Sequence, residues 1–113
     1  MQRQNKFKNV PTTIDGIRFA SKAEGRRYLE LKLLERAGEI SELELQKPYQ
    51  LTAFDGTKLA KYVADFAYVD SRTGQKVTED VKSPATARLS SFKIKAKLFK
   101  AQFGREIVII GKV

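Results

Sequence analysis

Hydrophobic and polar positions alternate along the chain with two different periods, and the switches between them mark the elements. Thr12–Ile14 and Ile17–Ala20 are short apolar-rich runs around Asp15-Gly16, a turn pair, and predict a small hairpin. From Ser21 the pattern becomes helical. "SKAE" has the form of a capping box, good helix formers follow, and Gly38 is the stop. Gly25 is a weak residue tolerated in the first turn. From Ile40, "ISELELQ" reads as a strand with apolar positions at 43 and 45. Pro48 interrupts it, and "YQLTAF" resumes up to the turn pair Asp55-Gly56. Lys58–Asp70 is a longer strand, Ser71–Gly74 a turn, and Gln75–Lys82 a further strand that Pro84 ends. A second helix is predicted over 87–103, with Leu89, Phe92, Ala96, Phe99 and Phe103 on one buried face and Gly104 as its stop. "EIVIIG" closes the pattern as an unbroken apolar run, which predicts a central strand covered on both faces. The order ββ-α-ββββ-α-β predicts an α/β layered domain, a mixed sheet with two flanking helices. Residues 1–10 are polar and basic and predict a flexible arm, leaving 11–113 as one domain.

Composition narrows the chemistry. The chain of 113 residues has no cysteine and no histidine. Disulfides, thiolate zinc sites, cysteine nucleophiles and Ser-His-Asp catalysis are excluded, as is nearly every transition-metal site. A bound metal must be oxygen-ligated. The apolar runs are too short to span a membrane, and the N-terminal stretch lacks a signal peptide's apolar segment, so an intracellular protein is expected. Lys and Arg number 22 against 13 acids, a net charge of +9, which favours a polyanionic partner.

Several charges stand where a strand should not carry them. Asp65 lies within "VADFAYV", and aspartate is depleted in strands. Simple alternation places Lys61, Val63, Asp65, Ala67 and Val69 on one face of their strand, and Thr78, Asp80 and Lys82 on one face of the next. If the turn at 71–74 makes a hairpin, Asp65 and Asp80 converge; a one-residue slip would turn Asp65 away. Two carboxylates about 4 Å apart repel by roughly 4 kcal/mol at an effective dielectric of 20. Lys82 pairs with one of them at best, whereas a divalent cation satisfies both. Phosphodiester hydrolysis then has its parts: carboxylates to hold Mg²⁺, a water nucleophile, and an ammonium to stabilise charge or orient the water. An Asp and a Lys two apart on a strand are also common on solvated faces. Glu24 is the third candidate acid. It completes the capping box, and it also shares a helical stripe with Tyr28 and Leu31 that would aim it at the sheet. Glu79 faces away from Asp80 and reads as structural, Asp70 as turn chemistry. Gln46 is either an auxiliary polar group or a surface amide at a strand end.

The second helix carries Lys93, Lys97 and Lys100 as a stripe, flanked by Arg88 and Lys95, with no acid between Pro84 and Gly104. Such a face suits phosphate contacts, which position a duplex without reading its sequence. An ordinary solvated face is the alternative.

Glu24 on a first helix, Asp65 on a strand and Asp80-Val81-Lys82 on the next, followed by a helix, resemble the PD-(D/E)xK nuclease superfamily and its restriction-endonuclease-like core. More narrowly, "DGIRFASKAEGRRYLELKLLERAGEISELELQKPYQL", "YVADFAYVD", "VTEDVKS" and "FKIKAKLFKAQFG" are similar to a family of small bacteriophage proteins of uncharacterised function. That family is related to phage endonuclease I-type and archaeal-type Holliday junction resolvases. The resemblance implies Asp65 and Asp80 as metal ligands, helped by the backbone carbonyl of Val81, with Lys82 as the catalytic lysine and Glu24 completing the site. It implies Mg²⁺, with Mn²⁺ as a substitute, and a homodimeric resolvase acting on branched or junction DNA in a host cytoplasm. Ala64 replaces the usual proline before the first aspartate, and Asp80 stands where Glu is commoner. Other DNA substrates for the same fold, through nicking, restriction-like or end-cleaving chemistry, remain open. So do a non-catalytic DNA-binding protein on a decayed nuclease fold and a basic inhibitor or adaptor.

Overall fold

In the computed structural model, which describes residues 10–111, β1 (Thr12–Ile14) and β2 (Ile17–Phe19) pair around Asp15 and Gly16. Both turn residues have positive φ, 54° and 76°, as the twist of a tight hairpin requires. The expected basic arm lies, apart from Val10, outside the described residues. Helix α1 (Lys22–Arg36) starts at Ser21, whose Oγ accepts the Glu24 N–H at 3.1 Å. Next come β3 (Ile40–Thr52), β4 (Lys58–Asp70) and β5 (Lys76–Lys82). After these stand α2 (Pro84–Ala87), α3 (Ser90–Phe103) and β6 (Val108–Gly111). The main sheet has the order β3-β4-β5-β6, antiparallel except for the parallel β5–β6 pair. Among the described residues this is a mixed α/β domain with a mixed sheet and three helices. No helix among the described residues is long and apolar enough to cross a membrane.

Three elements depart from the sequence pattern. Pro48 does not break β3, which runs through it with Pro48 opposite Val63. β3 is an edge strand, and an edge spares proline the hydrogen bond it cannot donate. The second helix is two helices, because Leu89 is extended (ψ 136°) and acts as the N-cap of α3, while Ser83 caps α2 with Pro84 in its first turn. β6 is not central. It returns parallel to β5 on the outer side, at the sheet edge, with Val108 and Ile109 exposed.

Two apolar clusters cover the sheet. One joins Phe19, Tyr28, Leu31, Ile40 and Phe66 beneath α1; the other joins Leu51, Tyr62, Ala64, Phe99 and Ile107 beneath α3. Each large side chain removed from water in this way is worth about 1.5–3 kcal/mol. On β5, Glu79 reaches α1 while Thr78 and Asp80 bond to tyrosines of the α3 cluster, so the two helices lie on opposite faces.

The expected regular alternation of β4 does not hold. Phe66 and Tyr68 pack with the α1 cluster, yet Tyr62 and Ala64, of the same parity, pack with the α3 cluster. The same reversal occurs on β3, between Leu43 and Leu45 on one side and Tyr49 and Leu51 on the other. Register is kept through it, with Leu45 opposite Phe66 and Lys47 opposite Ala64. The reversal therefore falls at Gln46 and Asp65. Gln46 has φ 53°, a left-handed conformation rare for a residue with a side chain. Locally this strain re-aims side chains, and it sits in the row that gathers the acids.

The β1–β2 hairpin packs on the start of α1 at Gly25. A Cβ there would stand 2.8 Å from Thr12 Cγ2 and 2.9 Å from Ile14 Cδ1. Gly25→Ala is expected to destabilise the domain by about 1 kcal/mol, because overpacking outweighs the helix-propensity gain. A lowered urea midpoint checks this; a raised midpoint would show that the hairpin does not seat there.

Candidate active site

β4 and β5 pair from Val69↔Lys76 to Phe66↔Glu79, and there the ladder ends. The next row would set Asp65 against Asp80. Side chains replace the missing ladder bonds. Asp65 Oδ2 accepts the Val81 N–H at 2.9 Å, and Asp80 Oδ1 lies 3.4 Å from the Asp65 nitrogen. Across β4 on the other side stands Gln46. Its Nε2 is 3.4 Å from Asp65 Oδ1 and 3.3 Å from Glu24 Oε2. Glu24, Gln46, Asp65 and Asp80 thus form one row drawn from α1, β3, β4 and β5. Glu24 and Asp80 are buried, at 7% and 2% exposure. Tyr62 Oη donates to Asp80 Oδ2 at 2.6 Å. Lys82 Nζ lies 3.9 Å from that same oxygen and 4.9 Å from the centre of the Phe92 ring.

Burial, together with the Asp65 carboxyl, pushes Asp80 up to about 7; the Tyr62 hydroxyl and Lys82 pull the other way and do not win. Burial and then Asp65 push Glu24 up to about 7 as well, against a backbone hydrogen bond at Ala20 and the Lys82 charge. Tyr62 is also raised, first by burial and then by Asp80, so it stays a hydrogen-bond donor. The acids therefore stand without enough positive charge of the chain's own. Among the described residues no three His, Cys, Asp or Glu side chains already converge on one point as a metal cage. What is present is an all-oxygen donor set, short of positive charge, with Asp65 and Asp80 in hydrogen-bond range and Glu24 linked to them through Gln46. That chemistry fits a hard divalent cation.

Glu79 stands apart from this set. It is 1% exposed and accepts from Arg27 Nε at 2.9 Å and Arg27 Nη2 at 2.6 Å, and also from the Tyr68 hydroxyl. Arg27 lies three residues after Glu24, and Glu79 immediately precedes Asp80. The pair therefore clamps α1 to β5 next to both acids. Asp70 accepts the Arg72 N–H at 2.9 Å in the turn.

The basic residues divide. A cleft of about 330 Å³ opens beside Asp80 and Lys82, with Lys61 and Lys95 on its walls and Phe92 behind. Lys93, Lys97 and Lys100 lie on the other flank of the buried stripe of α3, away from that cleft. Lys100 pairs at 2.6 Å with Glu106, just beyond the acid-free stretch, and both are exposed. Arg88 is exposed at the end of α2. A larger hollow of about 400 Å³ lies elsewhere on the α3 face, against Glu44, Tyr49 and Arg105. It holds neither the aspartates nor Lys82, whereas the smaller cleft is lined by both Asp80 and Lys82.

Sequence reasoning missed Tyr62, Arg27 and Lys61. Strict alternation puts Tyr62 on the face away from Asp65, and only the reversal at Asp65 brings it to Asp80. Arg27 leaves no signal beyond a helical charge three residues after Glu24.

The fold and the site together define a class: a small mixed α/β domain whose buried carboxylates and one lysine meet where two strands part. Within that class, the chain belongs to the family described as "Protein of unknown function (DUF1064)", which matches residues 4–110. No curated protein and no solved structure matches the chain.

A carboxyl with a higher pKa folded than unfolded favours folding while it is protonated. That contribution is complete below the unfolded value near 4 and is lost as pH rises through about 7. In chelator, Asp80→Asn is therefore expected to be more stable than wild type at pH 8, by on the order of 5 °C in Tm, with the gap closing at pH 5. Paired thermal melts at the two pH values check this. A gap that is equal at both would show that Asp80 is not strained by its charge.

Proposed function

We propose that this protein is a Mg²⁺-dependent, structure-selective DNA endonuclease, built on a restriction-endonuclease-like core with a PD-(D/E)xK-type site. The observation that carries the reading is the row Glu24–Gln46–Asp65–Asp80, with Lys82 at its mouth, at the point where the β4–β5 ladder ends. Asp65 and Asp80 would hold the cation, with the Val81 carbonyl contributing, and Mn²⁺ would serve in place of Mg²⁺. When bound, such a cation supplies Lewis-acid stabilisation of the phosphoryl oxygens and lowers the pKa of water. Glu24, linked to Asp65 through Gln46, would take a proton from the attacking water. The ammonium of Lys82, rested on the Phe92 ring, stabilises the charge that builds on the phosphoryl group. In the overall step a water oxygen adds to phosphorus, one P–O ester bond breaks, and the leaving oxygen takes up a proton. The net charge of +9 and the cleft lysines support a nucleic acid partner. Branched or junction DNA cut by a homodimer is the form of substrate and assembly that the superfamily resemblance suggests.

The test is cleavage of four-way junction, flap, nicked, linear duplex and single-stranded DNA, with Mg²⁺ and with chelator. Metal-dependent, paired nicks in the junction are expected. Asp80→Asn and Lys82→Ala should each lose cleavage by at least about a hundredfold while DNA binding in chelator persists. Normal cutting by either variant would remove the site assignment. Binding without any cutting would favour a non-catalytic DNA-binding protein.

A further inference from the structure

At the far end of the β3–β4 hairpin, Phe54 is fully exposed, at 111% of its reference area. The turn does not use the ring. Ala53 N–H donates to the Thr57 carbonyl at 2.7 Å, and Asp55 Oδ1 accepts from the Thr57 N–H and hydroxyl at 3.0 and 2.6 Å. Gln102 of α3 ties down the base of the hairpin, accepting the Thr52 N–H at 2.8 Å and donating to the Gln50 carbonyl at 3.0 Å. A braced turn therefore presents an aromatic ring to water. The strand that leads from it to the site is also unusual. β4 pairs with β5 only from Phe66 onward, so its outer half, Lys58–Ala64, has a free edge on that side. Lys58 and Lys61 are exposed along this half, and Lys61 is already a wall of the acidic cleft. Positive charge, an open strand edge and a terminal ring thus line one path away from Asp80.

Resting on the nuclease reading above, we propose that Phe54 is a wedge. It stacks on an unpaired or splayed base of DNA that follows the free edge of β4 into the cleft, and so selects branched or single-stranded DNA over continuous duplex. An exposed phenyl ring suits this role, because every base offers a π-face and apolar wedges enter weakened base steps. Asp65 and Lys58 are seven residues apart, about 23 Å at 3.3 Å per residue. Phe54 lies beyond Lys58, so the span is at least about seven nucleotide steps at 3.4 Å, and cutting should fall no nearer than that to the discontinuity.

The test is binding in chelator, by fluorescence anisotropy at one salt concentration. Its probes are a single-stranded oligonucleotide, the matching duplex and a four-way junction. Phe54→Ala is expected to weaken junction and single-strand binding by between about five- and a hundredfold, the range of one lost base stack, and to leave duplex binding unchanged. Its melting temperature should equal that of wild type, since the ring packs on nothing. Phe54→Trp, which gives the chain its sole tryptophan, should restore binding and report the junction by a change in emission. An equal loss on all three DNAs, no loss on any, or an emission that junction DNA does not change would each overturn the wedge. A concentration-dependent dimer that disappears in Phe54→Ala, with DNA selectivity kept, would overturn it as well and make the ring a self-association contact. Wild-type protein that binds none of the three DNAs would overturn the nuclease reading together with the wedge. Cleavage that ignores Phe54 would remove the wedge alone.

Discussion

The arrangement depends on the parting of β4 and β5 at Asp65 and Asp80. Ending a ladder inside a domain exposes backbone N–H groups, and each one left unpaired costs about 1–3 kcal/mol. Here the Val81 N–H is taken by the Asp65 carboxylate. One side chain therefore serves both the fold and the site. That gives a physical reason for an aspartate in a run otherwise suited to valine and alanine. It also explains why the two acids end up so close, since each answers a backbone vacancy made by the same divergence.

Glu79 and Asp80 are neighbours on β5 with opposite electrostatic fates. Glu79 meets a guanidinium through two bonds and a tyrosine hydroxyl, and that set raises the Arg27 pKa further above its ordinary value. Asp80, on the other face, has a tyrosine hydroxyl and an ammonium 3.9 Å away. A buried carboxylate tolerates burial only when it is neutralised. Glu79 is neutralised within the chain, and Asp80 is only partly so. The residual demand for charge at Asp80 and Glu24 is what makes the row look like a site rather than a structural network. Because Arg27 and Glu24 share a helix, the satisfied pair also fixes where the unsatisfied acids stand.

Much of this was legible from spacing. The strand and helix periods located nearly every element, and the depletion of aspartate in strands picked out Asp65. The capping pattern found the start of α1, and the stripe through Tyr28 and Leu31 aimed Glu24 inward, where it lies. What was not legible came from non-local facts. Pro48 looked like a break because nothing local says that its strand lies at the edge. "EIVIIG" looked central because an apolar run does not reveal which neighbours remain to pair with it. The reversal at Gln46 and Asp65 defeats period-two reasoning, and with it the assignment of Tyr62. A positive φ at a glutamine has no signature in residue type, since glycine or asparagine would be the usual choice.

The same reversal links the site to its surroundings. When β5 leaves β4 it keeps its parallel partner β6, so β4 alone continues toward the hairpin tip with one edge unpaired. α3 packs beneath this outer half through Phe99 against Tyr62, which sets Phe92 and Lys95 along the opening between them. The cleft is thus the space that the departing strand leaves behind, with Asp80 and Lys82 in its lining. A row of lysines on a strand edge is commonly read as protection against edge-to-edge aggregation. Here the edge begins at the half-buried Asp65 and the buried Asp80, which is short of positive charge, and the lysines continue outward from them. Protection accounts for the lysines and leaves the acids unexplained, whereas the phosphate track and cation site of the proposed function would account for both.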